Sequence, residues 1–228
     1  WVSQASLRGY GGLLHAKGRA YVPNGELGDQ TLAVPGAEFN ASFLSRQAPR
    51  DLMPRYGLAT QGKWQEGRDI SGHGLPISQQ KFFAVRPFLP GAWWHHHLFG
   101  EFSFEEQNVN GYHYATPSLF SRGWASRFLA KRNKASVNYA LPLLYPDWNL
   151  SRFFYLKRIS LNLFHDNTWG ENYGVSRRYE TRGAELWFDS HFVRNAFPIQ
   201  WGIRYNDPNS RRQINSVELF LNLSITTF

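Results

Sequence analysis

The sequence predicts an all-β chain, an antiparallel transmembrane β-barrel of about ten strands, and three observations predict it. The first is composition: aromatic residues make up 17% of the 228 residues, whereas hydrophobic residues of all kinds make up only 42%, and mean hydropathy is −0.47. Phe, Tyr and Trp thus stand where an ordinary core uses Leu, Ile and Val. That suits a wall apolar on one side and wet on the other. The second is that no stretch approaches the roughly 18 to 20 consecutive apolar residues of a membrane helix. The third is alternation of apolar and polar residues, the signature of a strand with two unlike faces.

The alternation is clearest at the end of the chain, where Val217, Leu219, Leu221, Leu223 and Ile225 alternate with Glu218, Asn222 and Ser224. Upstream, Phe197, Ile199, Trp201, Ile203 and Tyr205 stand against Gln200, Gly202 and Arg204, and Ala184, Leu186 and Phe188 against Glu185, Trp187 and Asp189. Ile159, Leu161 and Leu163 stand against Arg158, Ser160, Asn162 and Asp166, and Val137, Tyr139, Leu141 and Leu143 against Ser136 and Asn138. These polar faces are too charged for a sandwich core and suit a water-filled lumen. Weaker alternation places earlier strands at 13–22, 37–45, 56–64, 81–89 and 97–107. The intervening connections alternate in length, long at 23–36, 65–80, 108–134, 167–178 and 206–215 and shorter at 48–54, 90–96, 145–151 and 194–196. Outer loops of bacterial barrels are long and periplasmic turns short. By this parity segments 108–134 and 206–215 lie outside, and the C-terminus is periplasmic. No linker or low-complexity tract interrupts the series, so residues 1–228 read as one barrel domain.

The chain contains no cysteine, so neither a disulfide framework nor a thiolate metal site is expected. A formal charge of +8 fits arginines and lysines on loops and in a lumen; with no basic helix or recognition motif beside it, nucleic acid is not an expected partner. The chain opens at Trp1 without a leader pattern and reads as a mature chain or a fragment of a longer one. His95, His96 and His97 invite a metal reading, but consecutive strand residues face opposite ways and no third ligand is evident. With Trp93 and Trp94 beside them they read as part of an interfacial aromatic belt. His165 and Asp166 likewise face apart, and no Ser stands in a nucleophile setting, so neither catalysis nor a cofactor is expected.

Two motifs carry a resemblance. Phe228, with Leu221, Leu223 and Ile225 before it, resembles the C-terminal recognition signal of bacterial outer-membrane proteins, although the apolar positions run out of phase with Phe228. Ser121-Arg122-Gly123-Trp124 lies in the longest loop, ahead of five strands, and Phe164-His165-Asp166-Asn167-Thr168 lies on the second of them. This pair resembles the BamA-like outer-membrane surface-antigen superfamily, in which an Arg-Gly-aromatic loop folds into the lumen and pairs with an aromatic-x-Asp-x-Gly strand. Thr168 stands where the family has glycine, and Asn138 where an acidic residue is frequent. Segment 140–148 followed by 155–158 is similar to the strand, turn and strand after that loop. Leu89-Pro90-Gly91 with His96-His97-Leu98 is similar to propeller-barrel proteins of Bacteroidota type.

The resemblance, which covers about residues 89–228, implies that the chain is the C-terminal portion of a barrel of about sixteen strands in a Gram-negative outer membrane. It also implies a lumen lock formed by Arg122, Gly123, Trp124, Phe164 and Asp166. The activity it implies is assembly or export of other polypeptides, or anchoring of an envelope machine. Partners would be outer-membrane lipid, lipopolysaccharide and other envelope proteins. The competing expectations are a passive channel or structural barrel closed by this chain alone and, from a third class, an outer-membrane enzyme.

Overall fold

The computed structural model describes residues 1–16, 20–22, 25–27, 29–48, 50–72, 76–108, 112–149, 153–192, 197–208 and 216–223. These form an all-β, antiparallel structure. Ten strands follow one another in chain order across one sheet: β1 (Val2–Ala16), β4 (Gln30–Leu44), β5 (Gly57–Asp69), β6 (Ser78–Pro90), β7 (His97–Gln107), β8 (Lys131–Leu144), β10 (Phe154–Asn172), β11 (Val175–Phe192), β12 (Phe197–Pro208) and β13 (Val217–Leu223). The short β9 (Trp148–Asn149) joins β10 as an eleventh strand, and β2 (Ala20–Val22) pairs with β3 (Gly25–Leu27) as a separate hairpin. β1 and β13 end the order and are not paired with each other, so the sheet is open. Among the described residues no helix is long and apolar enough to cross a membrane.

The sheet is inverted relative to one that packs on an apolar core. Its inner face carries buried polar groups, among them Gln65, Gln80, Glu105, Arg132, Ser136, Asn162, Asp166, Thr168 and Glu185. Its outer face exposes Leu7, Phe39, Phe83, Phe102, Val137, Leu163, Ile203, Leu219 and Leu221, with Leu7 82% and Leu219 81% exposed. Alternation in sequence produces both faces at once. An apolar cluster of Leu32, Val34 and Tyr114, with Leu14 and Tyr112 packed on it, sits where segment 112–130 crosses the inner face.

Several expected boundaries are corrected. The first strand starts at Val2, not near residue 13, because its outer positions include Ala5, Gly9 and Gly11, which carry little apolar signal. The expected loop 23–36 contains β3 and the start of β4, and 65–80 shrinks to 70–77. The expected long loop 167–178 is instead a tight turn at Tyr173 and Gly174, whose φ values of 50° and 75° suit a two-residue hairpin. The turn expected at 48–54 widens to 45–56 and folds under the inner face. His95 lies in a turn with φ 64°, so strand parity begins only at His97.

Candidate functional site

The site forms where segment 112–130 meets the inner ends of β8, β10 and β11. Residues 121–124 make a tight turn in which Trp124 N–H donates to Ser121 O at 3.2 Å. Gly123 adopts φ 82°, the left-handed region that favours glycine at this place in a turn. The turn presents Arg122 to the strands. Asp166 shares the inward parity of Arg158, Ser160, Asn162 and Phe164 on β10, and its side chain is fully buried.

Arg122 and Asp166 meet in a bidentate pair, with Nε 2.8 Å from Oδ2 and Nη2 2.9 Å from Oδ1. The Arg122 backbone N–H donates to the same carboxylate at 3.0 Å. The loop backbone and its cation therefore converge on one strand residue, a fork geometry that Lys could not reproduce. Ser136 Oγ donates to Asp166 Oδ1 at 2.6 Å. Beneath the guanidinium lies the Phe164 ring, its centroid 3.8 Å away, a cation–π contact that closes the remaining face.

The surrounding shell goes beyond the residues singled out from sequence. Asn138, which replaces the acidic residue frequent in the resembled family, accepts from Arg122 Nη2 at 2.6 Å. Glu185 lies 3.1 Å from Arg122 Nη1 and is almost fully buried. Its second oxygen accepts from Asn162 at 2.7 Å and from the Trp187 indole at 3.1 Å. Strand parity already placed Glu185 on the polar face; nothing in its local sequence marked it among the other polar-face residues. Thr168, which departs from the family glycine, is fully buried and shares a 2.8 Å hydrogen bond with Ser121 Oγ. Since Ser121 Oγ donates to Tyr179 O at 2.9 Å, Thr168 supplies the proton of the shared bond. Trp124 packs edge-on against Tyr179 with ring centroids 5.1 Å apart.

Arg122, Gly123, Trp124, Phe164 and Asp166 are thus brought together. Leu221 lies apart from them on the outer face, 61% exposed, and Leu223 pairs through its backbone with Ile199. Ile225 and Phe228 lie outside the described residues, as does the side chain of Asn222.

The rest of the loop is pinned along the inner face. Glu105 accepts from Gln80 and Gln107, each at 2.8 Å, and from the Thr116 hydroxyl. Arg132 Nη1 donates to Ser118 O at 3.1 Å, and its Nη2 donates to Arg127 O at 2.8 Å. Between the loop tip and turn 45–56 remains a cavity of about 760 Å³, lined by both signs of charge, including Arg86, Glu101, Lys134 and Arg204.

Turn 45–56 supplies a second cluster. Arg158 Nη1 donates to the carbonyls of Arg50 and Asp51 at 3.2 and 3.1 Å. Asp51 Oδ1 lies 2.9 Å from His95 Nδ1, and Leu52 N–H donates to His97 Nε2 at 3.3 Å. Burial by itself would raise the Asp51 carboxyl, but the hydrogen bonds to His95 and Ala48 N–H, with the Arg55 charge, hold it below the usual carboxylate range. His96 bonds to the Tyr139 hydroxyl at 2.8 Å. The three histidines therefore have separate partners, and among the described residues no group of three His, Cys, Asp or Glu side chains is placed to hold a metal. His165 points outward toward Glu180, away from Asp166.

The chain matches no protein-family model, no curated protein and no solved structure.

Proposed function

We propose that the chain forms the wall of a Gram-negative outer-membrane β-barrel of BamA-like type, serving assembly or export of other polypeptides or anchoring an envelope machine. The inversion of the sheet carries this reading. Large apolar side chains stand exposed along the outer face while buried charges pair on the inner one, an arrangement favourable where the outside is lipid and the inside wet. Exposed Trp93, Trp94, Trp148 and Phe153 at one edge, with Trp169 and Tyr173 at the other, suit the two aromatic girdles of such a wall.

The BamA-like assignment is supported by the Arg122 to Asp166 pair, which ties a long loop into the interior by the residues the resemblance names. The outer face would meet lipid and lipopolysaccharide; envelope partners would dock at the periplasmic edge. For a barrel closed by this chain alone, the unpaired β1 and β13 give no support.

Alkaline carbonate extraction tests the membrane reading. The protein is expected to stay in the outer-membrane fraction and to migrate differently on gels before and after boiling. Release into the soluble fraction with no heat-dependent migration would overturn it. Depletion followed by measurement of outer-membrane protein levels and exported protein separates a polypeptide-handling role from a passive barrel.

A further inference from the structure

Two units of the same construction stand side by side on the inner face. In the first, the Arg122 cation lies over the Phe164 ring, and Phe164 stands directly opposite Gly183 in the β10–β11 ladder. A Cβ at Gly183 would come within 2.7 Å of that ring and 2.0 Å of Tyr205 O. Asp166, two residues along the same strand, takes the cation. In the second, Arg204 lies 5.2 Å from the centroid of Phe220, and Phe220 stands directly opposite Gly202 in the β12–β13 ladder. A Cβ at Gly202 would come within 2.5 Å of that ring and 2.2 Å of Leu186 O. Glu218, two residues before Phe220, takes the cation at 2.9 Å.

The units share a member. Glu185 Oε1 lies 3.1 Å from Arg122 Nη1 and 2.6 Å from Arg204 Nε. The charges therefore alternate without a break from Asp166 through Arg122, Glu185 and Arg204 to Glu218. In a site this enclosed each member's position depends on its neighbours. Glu185 holds Arg204 by its Nε at 2.6 Å, so losing the Glu185 charge, or the Arg122 contact that fixes Glu185 from its other side, lets Arg204 leave its place between Glu218 and the Phe220 ring. Among the described residues β13 pairs with β12 alone, so it depends on such a latch more than a strand paired on both sides does.

We propose that Arg204, Gly202, Phe220 and Glu218 form a second latch, which fixes β13, and that Glu185 couples it to the loop latch, so that β13 is held firmly only while segment 112–130 is seated. This rests on the proposed role in handling polypeptides, for which a strand released by loop movement would open a lateral path. The coupling itself is a property of the folded chain and is measured independently.

Amide hydrogen exchange, read by mass spectrometry on the full chain folded in detergent, tests it. E185Q is expected to speed exchange across β13 roughly tenfold, with β1 and β4 unchanged. E218Q should speed β13 while leaving residues 119–124 protected; R122A should release both. R122K, which keeps the charge but loses the fork, covers the case in which the others fail to fold, and it too should speed β13. Unchanged β13 exchange in these variants would overturn the coupling, as would acceleration spread equally into β1 and β4, which is general destabilisation. A wild-type chain released by carbonate whose β13 still responds to E185Q would sink the membrane role and leave the latch standing.

Discussion

The inner faces of the two halves of the sheet are built differently although their outer faces are alike. Over β8, β10, β11 and β12 the inner positions are charged or amide side chains joined to one another and to the loop, as at Asp166, Asn138, Glu185 and Arg204. Over β1, β4 and β5 the inner positions that border an open cavity of about 640 Å³ are uncharged, among them Gln4, Ser6, Asn40, Ser42, Ala59 and Gln61, and the charges farther along, Arg8, Glu38 and Lys63, are not buried. Both halves present Leu or Phe outward, as at Leu7 and Phe39 on one and Leu163 and Leu221 on the other. The environment outside therefore constrains the whole sheet equally, whereas buried charge is concentrated where a loop has to be held.

The largest effects should fall on the locked half. Arg122→Ala and Asp166→Ala should each cost about 3 kcal/mol, because either leaves a buried partner uncompensated. The double variant should cost little more than one single variant, a cycle read from the denaturant midpoint of the heat-modifiable form. Strictly additive losses would dissolve the contrast between the halves. Next, Leu221→Arg and Leu7→Arg should each cost roughly 2 to 4 kcal/mol in a bilayer if both halves face lipid. A loss at Leu221 alone would confine the lipid-facing wall to the locked half.

Smaller effects sharpen the same comparison. Ser121→Ala removes one partner of the buried Thr168 hydroxyl and should cost about 1 to 2 kcal/mol, measured in the same denaturation assay. At turn 45–56 the sign follows from Asp51. Its carboxyl titrates lower when folded, so its contribution is complete above the ordinary carboxylate value near pH 4. It is lost as pH falls through the lower folded value. Protease cleavage within 45–56 should rise on acidification into that range and respond less in Asp51→Asn. Ser42→Ala, in the open half, should change stability by no more than about 0.5 kcal/mol.

Legibility in the sequence followed the apolar signal of the outer face. β7 is bounded in the sequence as in the structure, and β8, β10, β11 and β12 are recognisable because Val137, Leu163, Leu186 and Ile203 announce their parity. The β10–β11 hairpin is longer than its sequence pattern because beyond Leu163 its outer positions are His165, Asn167 and Trp169, with Glu180 and Arg178 opposite; the strands continue although the apolar alternation stops. The pairing of Arg122 with Asp166 is legible only through the resemblance carried by the Arg-Gly-aromatic loop and the Phe-x-Asp strand; parity along β10 adds that Asp166 faces inward. Glu185, Arg204 and Glu218 were placed on the correct face, but their convergence depends on register between strands, which pattern along one strand does not carry. Phe220 carries no such mark, since an aromatic at a polar-face position looks like noise until its opposite number proves to be glycine.

The shared carboxylate of Glu185 also bears on how the chain reaches this state. It contacts a loop residue encoded before β8 and a β12 residue encoded after β11, while Asp166 waits on that same loop. A partly assembled sheet thus carries carboxylates with their cations elsewhere, and these must stay hydrated until the last strands arrive. Water can leave that region only in one late step, when the loop seats and the cations arrive together. Assembly of this half should then be all or none, with no stable halfway form, and the loop should dock last although in the chain it precedes the strands it locks.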